Sequence, residues 1–294
     1  MNSSRLIAFI DVKSNLDKST LCANIAFELN RRTGDSGDRI LVVDLDPQVT
    51  TTRIFSREKS HEHHTANLLS GYPGHVSEIT VPIRDIEGIS HGKQGGQSKF
   101  DYDRISLAPG SPMLMQLNYR FLREGIDLVI ERARRAFADA PYDWIFLDCP
   151  NDLGPIASLG LILADGFVLP IRTEEGGWKY GLDSLVYIVE LIRGEFNSDL
   201  RPYGAIMTQW KGSQKVSEVV RREVEEYLEV SRIPVFEKGL RQEDFDRVSG
   251  DGLLMWEVSG GTYAAMHANM GNLRTLTEEF MVRVVTCKLQ EEVA

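Results

Sequence analysis

Two short segments restrict the fold more than anything else in the chain: ILVVD, ending at Asp44, and WIFLD, ending at Asp148. Each is an unbroken apolar run closed by a single carboxylate. A strand with one face in water alternates polar and apolar side chains, whereas an unbroken apolar strand has to be covered on both faces, as strands of a parallel sheet are. The rest of the chain supplies the covering helices. Residues 5–10 form a short apolar run, followed by a polar loop and a helical pattern from Lys18 with Leu21, Ile25, Ala26 and Leu29 on one face. A turn at 34–38 leads into the strand at 39–44. Later come a strand at 104–108, a long helix at 119–138, a strand at 143–148, a strand at 166–170 and a helix at 180–196. A strand at 203–208, a helix at 216–230, a short strand at 233–236 and a closing helix at 263–289 complete the pattern. Alternation at this spacing implies right-handed crossovers, and hence an α/β fold with a doubly wound, mostly parallel sheet and helices on both faces.

A chain of 294 residues can bury one large core or two small ones. It carries no internal repeat and no Pro- or Ser-rich linker, so a single domain over residues 1–294 is expected. Residues 56–103, including the low-complexity HGKQGGQSK, read as an irregular insert with one helix near 65–69. Forty-three acidic against thirty-three basic residues leave a formal net charge of −10, which excludes a surface that grips nucleic acid or anionic membrane all round and leaves only a local basic patch. No run approaches a membrane span and the first apolar stretch is too short for a signal peptide, so a cytoplasmic protein is expected. Cys22, Cys149 and Cys287 stand far apart with no CxxC, which leaves reduced, buried fillers as their expected role. The cluster His61, Glu62, His63 and His64 has no second ligand group at a suitable spacing, so a solvated loop is expected there rather than a metal site.

In a doubly wound sheet, ligands gather beyond the carboxyl ends of the strands, which directs attention to the loop after the first one. It reads VKSNLDKST over residues 12–20. A Lys followed by Ser at a helix start is the end of a phosphate-binding loop: backbone N–H groups and the helix dipole hold the anion, Lys18 meets the outer phosphates, and the Ser19 hydroxyl can ligate Mg²⁺. The segment resembles the deviant Walker-A loop of the ParA/MinD family of partitioning and positioning ATPases, K-G-G-x-G-K-[ST]-T, with Lys13, Lys18, Ser19 and Thr20 at its four non-glycine positions. LVVDLDPQ, with Asp44, Asp46, Pro47 and Gln48, also resembles family sequence. YDWIFLDCP resembles the Walker-B strand with Asp148 at its end, and ADGFVLPIRTEEGGWKYGL the strand and loop that follow. GAIMTQW and IPVF match more loosely. The resemblance runs from about residue 6 to residue 235.

The resemblance implies a P-loop NTPase fold with ATP and Mg²⁺ as cofactors. It implies that Lys13 is the signature lysine reaching a partner's phosphates across a nucleotide-sandwich homodimer, and that Asp46 orients the attacking water. Lys13, Asp17, Lys18, Ser19 and Thr20 would contact the nucleotide, with Thr208 and Pro234 near the adenine. Ser19, Asp44 and Asp148 would hold the metal. The implied partners are a ParB-like adaptor and non-specific DNA, for which Arg221, Arg222, Arg241, Arg247 and Arg274 are candidates. Arg221 and Arg222 are offset by Glu223, Glu225 and Glu226, which equally describes a self-compensated, solvated helix face. The closing helix carries the apolar stripe Leu276, Phe280, Val284 and Val285 but ends in QEEVA, so it is expected to pack rather than to dock on membrane. Trp178, Tyr180 and Trp210 follow strand ends and read as core or rim packing. The residues ahead of the first strand are too few for a helix-turn-helix, so operator binding is not expected.

All three family glycines are replaced, by Ser14, Asn15 and Asp17. Glycine serves in such a loop because the chain needs positive φ and close approach of backbone to phosphate. Asn and Asp tolerate the left-handed region better than other residues. The charge of Asp17 is a separate obstacle, since an unscreened like-charge contact with a triphosphate costs on the order of 1–4 kcal/mol. Asp17 could instead pair with Lys18 or Lys13 and hold an empty loop closed. Two functions therefore stand: a partitioning or positioning ATPase, or a non-hydrolysing scaffold or regulator that binds nucleotide weakly or not at all.

Overall fold

The computed structural model describes residues 4–11, 17–34, 36–56, 58, 60–83, 103–172, 179, 181–210, 214–241, 254–255 and 263–293. Among the described residues, eight strands form one sheet: β1 (Arg5–Phe9), β2 (Ile40–Asp44), β3 (Val81–Pro82), β4 (Ile105–Ala108), β5 (Trp144–Asp148), β6 (Gly166–Arg172), β7 (Arg201–Trp210) and β8 (Leu240–Arg241). Their order is β3-β4-β2-β5-β1-β6-β7-β8, and every neighbouring pair is parallel except β3 with β4. The doubly wound, mostly parallel α/β fold expected from the sequence is the fold observed. β1 lies inside the sheet between β5 and β6, which places the loop after it at the point where the winding reverses.

Strand periodicity divides the core in two. Ile7 and Phe9 of β1 face α1 (Asp17–Arg32) and the closing helix α9 (Tyr263–Val293), together with Ile40, Val42, Trp144 and Phe146. Ala8 and Ile10 face the opposite layer with Leu41, Val43, Ile145 and Leu147. That layer includes α4 (Leu114–Glu124), α5 (Ile126–Phe137), α6 (Pro155–Leu163), α7 (Leu182–Glu195) and α8 (Gln214–Glu229). The stripe on α9 packs as expected: Leu276, Phe280 and Val284 are fully buried, and Phe280 meets the rings of Phe146 at 5.6 Å and Trp144 at 6.1 Å. No helix among the described residues is long and apolar enough to cross a membrane.

The structure corrects several expectations. The long helix at 119–138 is two helices, α4 and α5, broken by Gly125 at φ 88°, a conformation that costs glycine nothing and other residues much. Helix α6 escaped notice because six of its nine residues are buried, so PIASLGLIL has no polar face to set a period. The expected strand at 233–236 is a single bridge from Val235 to Ala205, and the sheet edge is β8 instead. The insert is partly built into the core. Besides α3 (Thr65–Leu69), found where expected, it contains a 3₁₀ turn at Val76–Glu78 and the antiparallel edge strand β3, with Val76 and Ile79 buried. His64 is not solvated: it is buried as the N-cap of α3, its ring accepting from the Asn67 amide. No group of three or more His, Cys, Asp or Glu side chains placed to hold a metal ion by themselves occurs among the described residues. Cys22 and Cys149 are buried as expected, whereas Cys287 is only half-buried.

Candidate functional site

Parallel register sets Asp44 directly beside Asp148, and Phe9, the last residue of β1, on the other side of Asp148. Neighbouring strands lie about 4.8 Å apart, so two carboxylates at paired strand ends share one small space. Helix α1 starts against them. The Lys18 side chain in its first turn is fully buried, with Nζ 2.5 Å from Asp148 Oδ1 and 3.5 Å from Asp46 Oδ2. Burial works to lower the Lys18 pKa, but Asp148 and Asp46 outweigh it and raise the pKa above the ordinary lysine value, so the ammonium stays charged.

The helix after β2, α2 (Thr50–Phe55), closes the cluster from a third side. Thr51 Oγ1 donates to Asp148 Oδ2 at 2.6 Å. Asp44 Oδ2 accepts from the Thr52 amide at 2.8 Å and from Thr52 Oγ1 at 2.6 Å, while its Oδ1 accepts from the Asp46 amide at 3.1 Å. A Cβ placed on Gly110 would lie 2.8 Å from Asp44 Cγ, so only glycine fits that wall. Burial pushes the Asp44 carboxyl up to about 7, and the Asp148 charge adds to the shift against the three hydrogen bonds. Burial raises Asp46 as well, with the Lys18 charge opposing it. The buried Cys149 thiol is pushed up to about 12 and is no nucleophile.

The AAA_31 family, an AAA domain, matches residues 4–202, more than half of the chain. The chain belongs to this family, the ParA/MinD-type P-loop ATPases. The chromosome-partitioning ATPase Soj of Thermus thermophilus is 28% identical over 221 residues, 75% of each protein. Two solved structures share the fold. Cobyrinic acid a,c-diamide synthase of Mycobacterium smegmatis, with bound ATP analog and magnesium, has a TM-score of 0.67 at 23% identity and covers 82% of this chain and 88% of its own. The McdA(D38A)–ATP complex of Cyanothece has a TM-score of 0.68 at 14% identity, covering 96% of both chains.

For a ParA/MinD-type chain, the donor set at this sheet edge fits a nucleotide with a hard cation. Lys18 and Ser19 occupy the first turn of α1, and the buried Thr20 Oγ1 in the same turn has no hydrogen-bond partner among the described residues. Oxygen-only ligands suit Mg²⁺. Of the residues singled out in the sequence, Lys18, Ser19, Thr20, Asp44, Asp46 and Asp148 are brought together and buried. Lys13, with Ser14 and Asn15, lies outside the described residues, and Asp17 opens α1 without a described side chain. Thr208 is buried near the end of β7, paired with Arg172 and Leu240. Pro234 is not brought beside it. Its carbonyl accepts from the Ala205 amide three residues back along β7, and it lines a cavity of about 500 Å³ with Arg222 and Glu226 of α8. Trp178, Tyr180 and Arg247 lie outside the described residues, as do the side chains of Trp210 and Arg241. Arg221 pairs with Glu225 at 2.7 Å, as a self-compensated face requires.

Sequence reasoning missed Thr51, Thr52 and Gly110. A signal for the threonines was present, since three in a row directly after DPQV mark a helix start on a strand that ends in an acid. Gly110 carried none, because only the tertiary approach of Asp44 makes its missing side chain necessary.

Proposed function

We propose that this chain is a ParA-like ATPase that binds ATP with Mg²⁺, forms a nucleotide-dependent homodimer, and partitions or positions DNA or other cargo in the cytoplasm with a ParB-like adaptor. The observation that carries the reading is a fully buried lysine in the first turn of α1, paired with a strand-end carboxylate and next to a buried hydroxyl that has no partner among the described residues. Lys18 is the cation available to outer phosphates, and it reaches them by giving up Asp148. Asp148 and Asp44 would then be free to orient the metal shell together with the Ser19 hydroxyl. Asp46 sits close enough to Lys18 to share its charge, a place suited to a carboxylate that holds a water against the phosphates. Bound ATP with Mg²⁺ supplies the phosphoryl group that such a water attacks. Lys13 would act from a partner copy as a positive charge on the developing phosphate oxygens.

Calorimetric titration of the chain with ATP and Mg²⁺, followed by phosphate release, tests the enzyme. Heat at micromolar to millimolar ATP with measurable turnover supports it, and silence at millimolar ATP refutes it. Retention of DNA on filters only with ATP at low salt would support the DNA component, and no ATP dependence would remove it. The second reading, a non-hydrolysing scaffold, is favoured by the replacement of every loop glycine and by a Lys18 already neutralised by two acids. Restoring glycine at Ser14, Asn15 and Asp17 separates the two: a rise in turnover identifies those side chains as the brake on an enzyme.

A further inference from the structure

We propose that Thr51 and Thr52 are positioning residues for the site, each hydroxyl holding one of the two strand-end carboxylates, Thr51 that of Asp148 and Thr52 that of Asp44. Successive helical residues point about 100° apart, so one turn of helix can reach two neighbouring strands at once. Here it does so with two bonds of equal length, 2.6 Å each. The Gly110 amide donates to Thr52 Oγ1 at 2.8 Å, and the hydroxyl has its own proton to give to the ionised Asp44 carboxylate. Asp148 is held from opposite sides, Oδ1 by Lys18 Nζ and Oδ2 by Thr51. When Lys18 leaves for a phosphate, Thr51 is the side-chain donor that keeps the carboxylate in place. Thr65 Oγ1, donating to the Asp44 carbonyl at 2.8 Å, pins the end of β2 underneath. Helix α2 therefore carries both acids, and the Asp46–Val49 turn that leads into it joins the water-orienting candidate to the same unit.

This inference rests on the ATPase reading, and its test is arranged to separate the two. Thr51→Val keeps the shape and removes the hydroxyl, and Thr51→Ser keeps the hydroxyl. Loss of an outer-shell partner of this kind costs roughly 10–100-fold, so Thr51→Val should lower kcat and raise the Mg²⁺ requirement by about that factor. The KM for ATP should stay within about twofold, and Thr51→Ser should restore kcat to within about threefold of the parent. A purely structural threonine would lower the melting temperature and leave kcat and the Mg²⁺ requirement untouched, and that outcome overturns the proposal. Should the parent show no response to ATP and Mg²⁺, the ATPase reading fails, and crystals of nucleotide-free Thr51→Val decide the positioning role alone. An Asp148 carboxylate rotated away from its parent position supports it, whereas one unmoved within about 0.5 Å refutes it.

Discussion

The ion pair of Lys18 and Asp148 can be measured without any nucleotide, and a double-mutant cycle with Lys18→Met and Asp148→Asn isolates it. Both changes are close to isosteric. At an effective dielectric constant of about 20, opposite charges 2.5 Å apart attract by about 7 kcal/mol, most of it offset by the cost of removing both ions from water. What survives shows when one partner is removed, because the other is then left buried and uncompensated, at a cost of about 3–5 kcal/mol. Lys18→Met leaves Asp148, Asp46 and Asp44 repelling one another. Among the described residues, Asp148→Asn leaves the ammonium with Asp46 as its acidic neighbour, at 3.5 Å. The double variant has neither defect in full, so its loss should fall short of the sum of the single losses by at least about 2 kcal/mol. Without the lysine, the Asp46 carboxyl, already raised by burial, loses the charge that holds its pKa down and rises further above its unfolded value. Protons then stay bound in the folded state at low pH, so the Lys18→Met penalty should be small near pH 5 and grow toward pH 8. Urea unfolding of the four proteins, followed by tryptophan fluorescence, to which the buried Trp144 contributes, measures both effects. Additive losses within about 0.5 kcal/mol, or a Lys18→Met penalty independent of pH, would refute the account of the site as one coupled charge cluster.

Val49, the N-cap of α2, has φ 53°, a left-handed conformation that costs a β-branched residue about 1–2 kcal/mol. Val49→Gly should relieve this strain, less about 0.4–1 kcal/mol for the freer unfolded chain, and so raise stability by roughly 0.5–1 kcal/mol in urea titration. Gly110→Ala should lower stability by about 1–3 kcal/mol, because its Cβ would lie 2.8 Å from Asp44 Cγ. An unchanged unfolding midpoint would show that Asp44 can move aside. The Asp44 pKa, about 7 folded against 3.8 unfolded, makes the folded state bind the extra proton between those values. Its share of stability is therefore full below about pH 4 and lost as pH rises through about 7, and Asp44→Asn should flatten that part of the stability profile.

Sheet and site were legible to different degrees, and particular residues show why. The strands ending at Asp44 and Asp148 announced themselves because each is apolar on both faces, a pattern that leaves almost no other place to put them. Helix α1 was equally clear, since its four apolar positions share one face. By contrast, α6 is buried nearly all round and offered no period. β3 and β8, two residues each, are held by their neighbours rather than by their own preferences. In the site, Lys18, Ser19, Asp44 and Asp148 could be named from chemistry at strand ends and a helix start, and Asp46 from the family resemblance. That Lys18 is engaged by Asp148 depends on a contact 130 positions away in the chain, and no local pattern encodes it.

The order of apolar strands and amphipathic helices was enough to specify a doubly wound sheet and to send the acids to one edge, because covering both faces of a strand leaves few topologies and side-chain alternation leaves one direction for each residue. Which groups at that edge touch was decided only by tertiary packing. The pairing of Asp44 with Asp148, the reach of α2 from one strand end to the next and the exclusion of a side chain at Gly110 are all matters of a few ångströms between segments far apart in sequence. Distances on that scale follow from how two core layers press on the sheet, a property of the folded whole.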